Sequence, residues 1–322
     1  MAEGLGAATL RDVSVVVLSH NRVDELRTNL PPMVAGVREQ GLQLIVVDNA
    51  SSDGSREFIA SLDCGDAGLL LVQNTSNLGV AGGRNAGASI ASGDYILFVD
   101  DDTRIGVEDI RKLRGVLASR EDVGAISPRV IQAQTGAPQC DNGTEYAEIG
   151  NYHGACHMVR RAVRRRAGDI DPVCTFGGEE LDYSIKIRAL GYKVMYVPDV
   201  TVMHNNVIRP GVEGANRRRM RAFNLPRLHF KYFPLRLAIM FSLRYGLVHT
   251  LSALRSGRPI VALGLPLYVA RGALQGRRER VVLPSVVVDF YARTDTRPDF
   301  GNVPLWHKLN RRLLQVSAQG DR

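Results

Sequence analysis

Three aspartates in a row, Asp100, Asp101 and Asp102, close the apolar run "YILFVDDDT". Neighbouring carboxylates repel, and the cost rises as water is withdrawn. A divalent cation would remove that repulsion. In an extended segment, side chains two apart point the same way. Asp100 and Asp102 therefore share a side as ligands for Mg²⁺ or Mn²⁺, with Asp101 opposite. A second acidic strand end comes earlier, in "VVDNASSDGS", where Asp48 could accept a hydrogen bond from a pyrimidine N–H. Asp53 and Gly54 in the same stretch read as turn and helix-cap residues. Between these two stretches, "NLGVAGGRNAG" opens on Asn77. It offers glycines for close backbone approach, a helix start, and Arg84 for charge. No G-x-G-x-x-G follows the first strand, which disfavours a nicotinamide-type Rossmann enzyme.

These residues need elements that bring them together. "VSVVVLS" (13–19), "QLIVVD" (43–48), "GLLLVQN" (68–74) and "DYILFVD" (94–100) read as buried strands. Helical signals fill the gaps at 22–40, 52–62 and 81–92, the first interrupted near Pro31-Pro32. This rhythm predicts an α/β fold, a mostly parallel sheet with helices on both faces. Ligands of such sheets bind beyond the carboxyl ends of the strands, where Ser19, Asn21, Asp48 and Asp100 fall. Further along, a helix and the strand "VGAISPRV" are expected, then a helix through Tyr183, Ile187 and Leu190 stopped by Gly191, then the strand "YKVMYVP".

A chain of 322 residues with 45% hydrophobic and 23% charged residues can bury a full-sized core. Cys64, Cys140, Cys156 and Cys174 show no metal-type spacing and read as reduced thiols of a cytoplasmic protein. The first residues lack a basic head followed by a long apolar core, so no secretory signal is expected. The net charge of +8 is unevenly spread: residues 205–322 hold 21 basic and 6 acidic side chains.

Seven stretches occur in one order: "VVVLSHNR", "VVDNASSDGS", "NLGVAGGRNAG", "YILFVDDDT", "GACHMVRRAV", "FGGEELDYSIKIRALGYKV" and "VTVMHN". In this order the sequence resembles the family 2 glycosyltransferases, the inverting group with the GT-A fold, and among them rhamnosyl- and galactofuranosyl-type enzymes of bacterial cell-surface glycans. The resemblance implies a nucleoside-diphosphate sugar donor (UDP- or dTDP-linked) and a glycan or lipid-linked acceptor. Asp48 would read the base, with Ser19 and Asn21 beneath base and ribose. Asn77, Arg84, Asp100 and Asp101 would complete the donor site. Asp100, Asp102 and His204 would hold the metal. In "GGEELD" the second acid of the pair, Glu180, would be the general base, with Glu179 as the alternative. The family usually has Asp there, so the chain departs by one methylene. Asp182 would serve the helix start or pair with Lys186. A sugar-nucleotide pyrophosphorylase, or a non-catalytic nucleotide or glycan binder, is the competing reading.

The expected organisation is a flexible N-terminus (1–10), a GT-A catalytic domain (11–205), a basic amphipathic helical region (206–297) and a loosely ordered tail (298–322). No window of about 20 residues in the basic region is free of charge, so no spanning helix is expected. The region would contact an anionic membrane surface, peripherally at the inner face of the cell membrane, or a second copy of the chain. Nucleic acid is disfavoured because no nucleic-acid motif accompanies the charge.

Overall fold

The computed structural model describes residues 9–62, 69–205 and 212–293. Cys64 and the 298–322 tail lie outside them. The first half alternates as its apolar runs suggest: β1 (Val13–Ser19), α1 (Val23–Gln40), β2 (Gln43–Asp48), α2 (Ser55–Ser61), β3 (Leu69–Gln73), α3 (Gly79–Ser89) and β4 (Tyr95–Asp100). There follow β5 (Thr103–Arg104), α4 (Val107–Ala118), β6 (Val123–Gln132), β7 (Pro138–Cys140), β8 (Ala147–Glu148), β9 (Cys156–Arg160), α5 (Arg161–Ala167), α6 (Glu179–Ala189) and β10 (Lys193–His204). The last described stretch is helical: α7 (Val212–Tyr232), α8 (Leu235–Arg255), α9 (Pro259–Arg278) and α10 (Ser285–Ala292).

One sheet runs in the order β3-β2-β1-β4-β9-β6-β10-β5, with β7 on β6 and β8 on β10. β1 pairs parallel with β2 and β4, β2 with β3, and β6 with β10. β9 is inserted antiparallel between β4 and β6. β1, β2 and β4 are buried on both faces, which is why they read as unbroken apolar runs, while β3 at the sheet edge is only partly covered. Val15, Val17, Leu44 and Val46 pack toward Leu26, Leu30 and Val37 of α1 and Leu113 of α4. Val16, Ile45, Val47 and Phe98 pack on the other side, with α3, α6 and the C-terminal helices. α3 can lie close because Gly87 faces the sheet: a Cβ there would stand 2.5 Å from Val16.

α1 differs from expectation. It passes through Pro31 and Pro32 without a break. A proline inside a helix loses one hydrogen bond and crowds the preceding turn. Here both prolines are on the exposed side, while Leu26, Leu30, Val34 and Val37 form a buried stripe against the sheet. That packing holds the helix through the fault.

α7 anchors the helical region to the rest. Asp171 accepts from Arg227 Nη2 (2.7 Å) and Lys231 Nζ (2.6 Å), and Tyr232 donates to Asp182 Oδ1 (2.6 Å). α9 packs tightly along α7: a Cβ on Gly276 would stand 1.9 Å from the Arg227 carbonyl oxygen, and one on Gly272 2.1 Å from that of Phe223. Backbone cannot step aside for a methyl group. Gly276→Ala should therefore lower stability by about 1–3 kcal/mol, read as a lower denaturation midpoint.

α8 also differs from expectation. By length and composition it is apolar enough to cross a membrane, with mean hydropathy 1.3 over its best window. A single charge such as Arg244 does not disqualify a helix of this length. Only 28% of that window is buried inside the structure.

Candidate active site

Three parallel strands deliver their last residues to one edge. The register sets Ser19 beside Asp48 and Leu18 beside Asp100. The fourth contributor arrives from the other half of the sheet. β10 was expected to end near Pro198, but it continues through "VTVMH". Its register with β6 shifts between Val197 and Thr201, and it then pairs with β5, His204 opposite Thr103. The Asn205 N–H donates to the Asp102 carbonyl at 2.8 Å.

Asp100, Asp102 and His204 offer ligand atoms all within 4.8 Å of one another. Strand alternation is not what gathers them. β4 ends at Asp100, and Asp101 and Asp102 lie in a turn. That turn swings Asp102 onto the side of His204. The donor set fits a divalent cation. His204 Nδ1 is 2.6 Å from Gln139 Oε1, an oxygen that can only accept, so Nδ1 carries the proton. Nε2 then turns its lone pair toward Asp102 Oδ1, 3.1 Å away. Two lone pairs facing each other need a proton or a metal ion between them. Two carboxylates and one imidazole suit Mn²⁺, and suit Mg²⁺ less well because of the imidazole.

The repulsion among the aspartates is resolved residue by residue. Arg84 Nη2 pairs with Asp100 Oδ1 at 2.8 Å. Arg22 pairs with Asp102 and lies 3.4 Å from Asp101 Oδ1. Burial pushes the Asp101 carboxyl up to about 8 against the opposing charge of Arg22. Burial acts on Asp102 too, but with a proton on His204 Nε2 in place of a cation, that hydrogen bond and its charge, with Arg22, hold the Asp102 carboxyl down at about 2.

The second acidic pair approaches the same edge. Gly177 and Gly178 both adopt positive φ, 76° and 102°, and turn the chain into α6, which begins at Glu179. Asn224 of α7 holds this loop by donating to the carbonyls of Gly177 (2.9 Å) and Phe176 (3.1 Å). Glu180 is half-buried and leans on Gly154, where a Cβ would stand 2.7 Å from its Oε1 and 3.4 Å from Arg84 Nη2. Arg84 Nη2 also donates to the Gly154 carbonyl at 2.8 Å. Arg84 is buried, and its guanidinium is held charged by Asp100, Glu179 and Glu180 despite the cost of burial. It thus bridges the aspartate cluster and the glutamate pair, instead of projecting from the edge.

Glu179 is 4% exposed, and its Oε2 has no partner. Burial, then the charge of Glu180, pushes its carboxyl up to about 8 against Arg84. A carboxyl raised above its unfolded value destabilises the fold as pH rises from the unfolded pKa toward the folded one. Glu179→Gln should therefore gain melting temperature over the parent between pH of about 5 and 8, with the difference largest at the alkaline end.

Asp48 is fully buried. Its Oδ1 accepts from the Ser51 N–H (3.0 Å) and its Oδ2 from Arg56 Nε (3.1 Å), with Arg56 42% exposed. Asn21 takes a left-handed backbone, φ 53°, and its Oδ1 accepts from the Ser52 N–H at 2.7 Å, tying the β1 loop to the β2 loop. Ser19 is buried at the end of β1, in register with Asp48. Asn77 Oδ1 accepts from Asn49 Nδ2 (3.0 Å) and the Gly79 N–H (2.9 Å). Asp53 accepts from the Ser55 N–H (3.1 Å) and the Val23 N–H (2.9 Å), fastening two helix starts. Asp182 pairs with Lys186 at 2.8 Å. The sequence alone assigns no role to Arg22, Arg56 and Gly154. Arg22 sits directly after Asn21 in "SHNR", which was the available signal.

Residues 14–166 match the family model "Glycosyl transferase family 2". Among curated relatives, the putative polypeptide N-acetylgalactosaminyltransferase 13 of Drosophila melanogaster is 24% identical over 234 residues, 60% of this chain and 41% of its own. The putative teichuronic acid biosynthesis glycosyltransferase TuaG of Bacillus subtilis is 27% identical over 129 residues, 39% of this chain and 50% of its own. The chain thus spans half or less of these relatives. Among solved structures, the mannosyltransferase PcManGT from Pyrobaculum calidifontis, in complex with GDP-Man and Mn²⁺, superposes with TM-score 0.52 at 19% identity, over 94% of this chain and 80% of its own. Fold, motif order and family match agree: the chain carries a Glycosyl transferase family 2 domain, of GT-A fold, over residues 14–166.

Proposed function

We propose that the protein transfers a sugar from a nucleoside-diphosphate sugar to an acceptor hydroxyl, with inversion at the anomeric carbon. The observation that carries this is the meeting of two acidic groups around Arg84: Asp100, Asp102 and His204 on one side, Glu180 against Gly154 on the other. Asp100, Asp102 and His204 would hold Mn²⁺ or Mg²⁺. When bound, such an ion offsets the charge that develops on the leaving diphosphate.

The protein's own groups do the rest. Glu180 accepts the proton of the attacking hydroxyl, and a single base in a single displacement inverts the carbon. Arg84 fixes Asp100 and the Gly154 carbonyl, so that base and metal ligands keep one spacing. Asp48 reads the base, with its Arg56 pair giving way to the nucleotide. Ser19, Asn21 and Asn77 shape the loops on which base and ribose rest. The PcManGT complex contains GDP-Man and Mn²⁺, and a solved TarS complex contains UDP-GlcNAc. Both support a sugar nucleotide as the donor class here.

The test is incubation with a panel of sugar nucleotides and Mn²⁺. Release of a nucleoside diphosphate, faster with acceptor present and stopped by chelation, is expected. Formation of a nucleoside triphosphate from added pyrophosphate would instead mark a pyrophosphorylase. Binding without any release would mark a non-catalytic binder.

A further inference from the structure

We propose that the outward faces of α8 and α9 seat this protein on an anionic lipid surface. The two helices are joined through 256–258 and pack against each other and α7. On α8, Leu243, Leu247 and Leu251 recur at i, i+4, i+8 and are 66%, 62% and 44% exposed. On α9, Ile260, Leu263 and Leu267 recur at i, i+3, i+7 and are 79%, 81% and 54% exposed. Soluble surfaces scatter such residues singly; an exposed leucine-rich stripe on each of two helices that pack together is an apolar surface that calls for an occupant.

Charge identifies the occupant. Residues 235–292 contain eight arginines, no lysine and two acids, Glu279 and Asp289. Glu279 is taken by Arg227 of α7. Arg236, Arg255, Arg271, Arg277, Arg278 and Arg280 are all exposed. Leucine stripes flanked by arginines match the acyl boundary and headgroups of an anionic bilayer. A two-fold dimer through the same face would set arginines of one copy against those of the other, because such an interface uses one patch twice.

α8 lies on the bilayer without crossing it. Its opposite face is packed into the protein: Phe241 and Tyr245 are buried, and Ser242 Oγ meets His229 Nδ1 at 3.1 Å. A spanning helix could not keep these contacts. α7 packs against both α8 and α9, meeting Gly276 at one surface and the carbonyl of Gly177 at another. The lipid-facing pair and the loop that leads into Glu180 are therefore mounted on one helix.

Flotation of the full chain with vesicles tests this without any sugar nucleotide, so it is independent of the catalytic reading. Binding is expected to vesicles of equal parts phosphatidylcholine and phosphatidylglycerol at low salt, and not to phosphatidylcholine alone. Arg255→Ala with Arg271→Ala should weaken partitioning roughly 30-fold, at about 1 kcal/mol per arginine. Leu247→Glu with Leu263→Glu should abolish it at any salt. Both side chains are exposed, so an unchanged melting temperature is expected and verifies the fold. Unaltered flotation of the Leu247→Glu/Leu263→Glu protein would overturn the proposal. So would a wild-type protein that ignores the vesicles, whether it is a monomer or a dimer that this variant dissociates; the dimer result would give the face to a second copy.

Discussion

Glu180→Gln is expected to slow sugar transfer by about 10²- to 10⁴-fold, the usual contribution of a positioned general base, while nucleotide-sugar binding survives. The substitution keeps the shape that leans on Gly154 and removes the capacity to accept a proton, together with one negative charge beside Arg84 and Glu179. The neighbouring acid is poorly placed to take over. Glu179 is buried, with a carboxyl pushed up to about 8, so near neutral pH it already holds its proton. Binding by calorimetry beside turnover separates the two effects. A Glu180→Gln enzyme with near wild-type turnover, beside an inactive Glu179→Gln enzyme, would move the base to Glu179.

Asp102→Asn is the second large effect. Asn offers one neutral oxygen where Asp102 offers a carboxylate to His204, to Arg22 and to the proposed cation. Loss of about 4 kcal/mol of leaving-group stabilisation corresponds to a rate on the order of 10³-fold lower. Mn²⁺ affinity, read by electron paramagnetic resonance of the free ion, should fall in parallel. The substitution also leaves Arg22 and His204 without their shared counter-charge in a buried place, and removal of one partner of a buried pair is destabilising. A lower melting temperature is therefore expected, with far-ultraviolet circular dichroism unchanged at the assay temperature. Retained Mn²⁺ affinity in a folded Asp102→Asn protein would remove Asp102 from the ligand set.

What the sequence disclosed follows physical lines. β1, β2 and β4 were legible because strands buried on both faces write unbroken apolar runs, and the acids fall where those runs stop. The prolines of α1 misled because local rules count a lost hydrogen bond and not the stripe of Leu26, Leu30, Val34 and Val37 that outweighs it. β10 was read as too short: its last residues, Thr201–His204, alternate buried and exposed and follow an irregularity. "CHMVR" gave no strand signal of its own, since β9 is defined by its antiparallel neighbours. Asp100, Asp102 and His204 were named from the motifs, but the turn that assembles them was not foreseen. Arg22 and Arg84 show the limit most plainly. The charge each one meets comes from a segment distant in sequence: Arg22 pairs with Asp102, and Arg84 joins Asp100 to the carbonyl of Gly154. Such partners are set by topology and leave no local trace.

The central claim is that "VDDD" and "GGEE" are two sides of one transfer site. Crystals grown with Mn²⁺ and a nucleoside-diphosphate sugar, with anomalous scattering collected at the manganese edge, test it most directly. The expected result is a single manganese peak bound by Asp102 and His204, with the donor diphosphate on the metal and the anomeric carbon turned toward the Glu180 carboxylate. A manganese peak elsewhere, or a donor whose anomeric carbon faces away from Glu180, would contradict it.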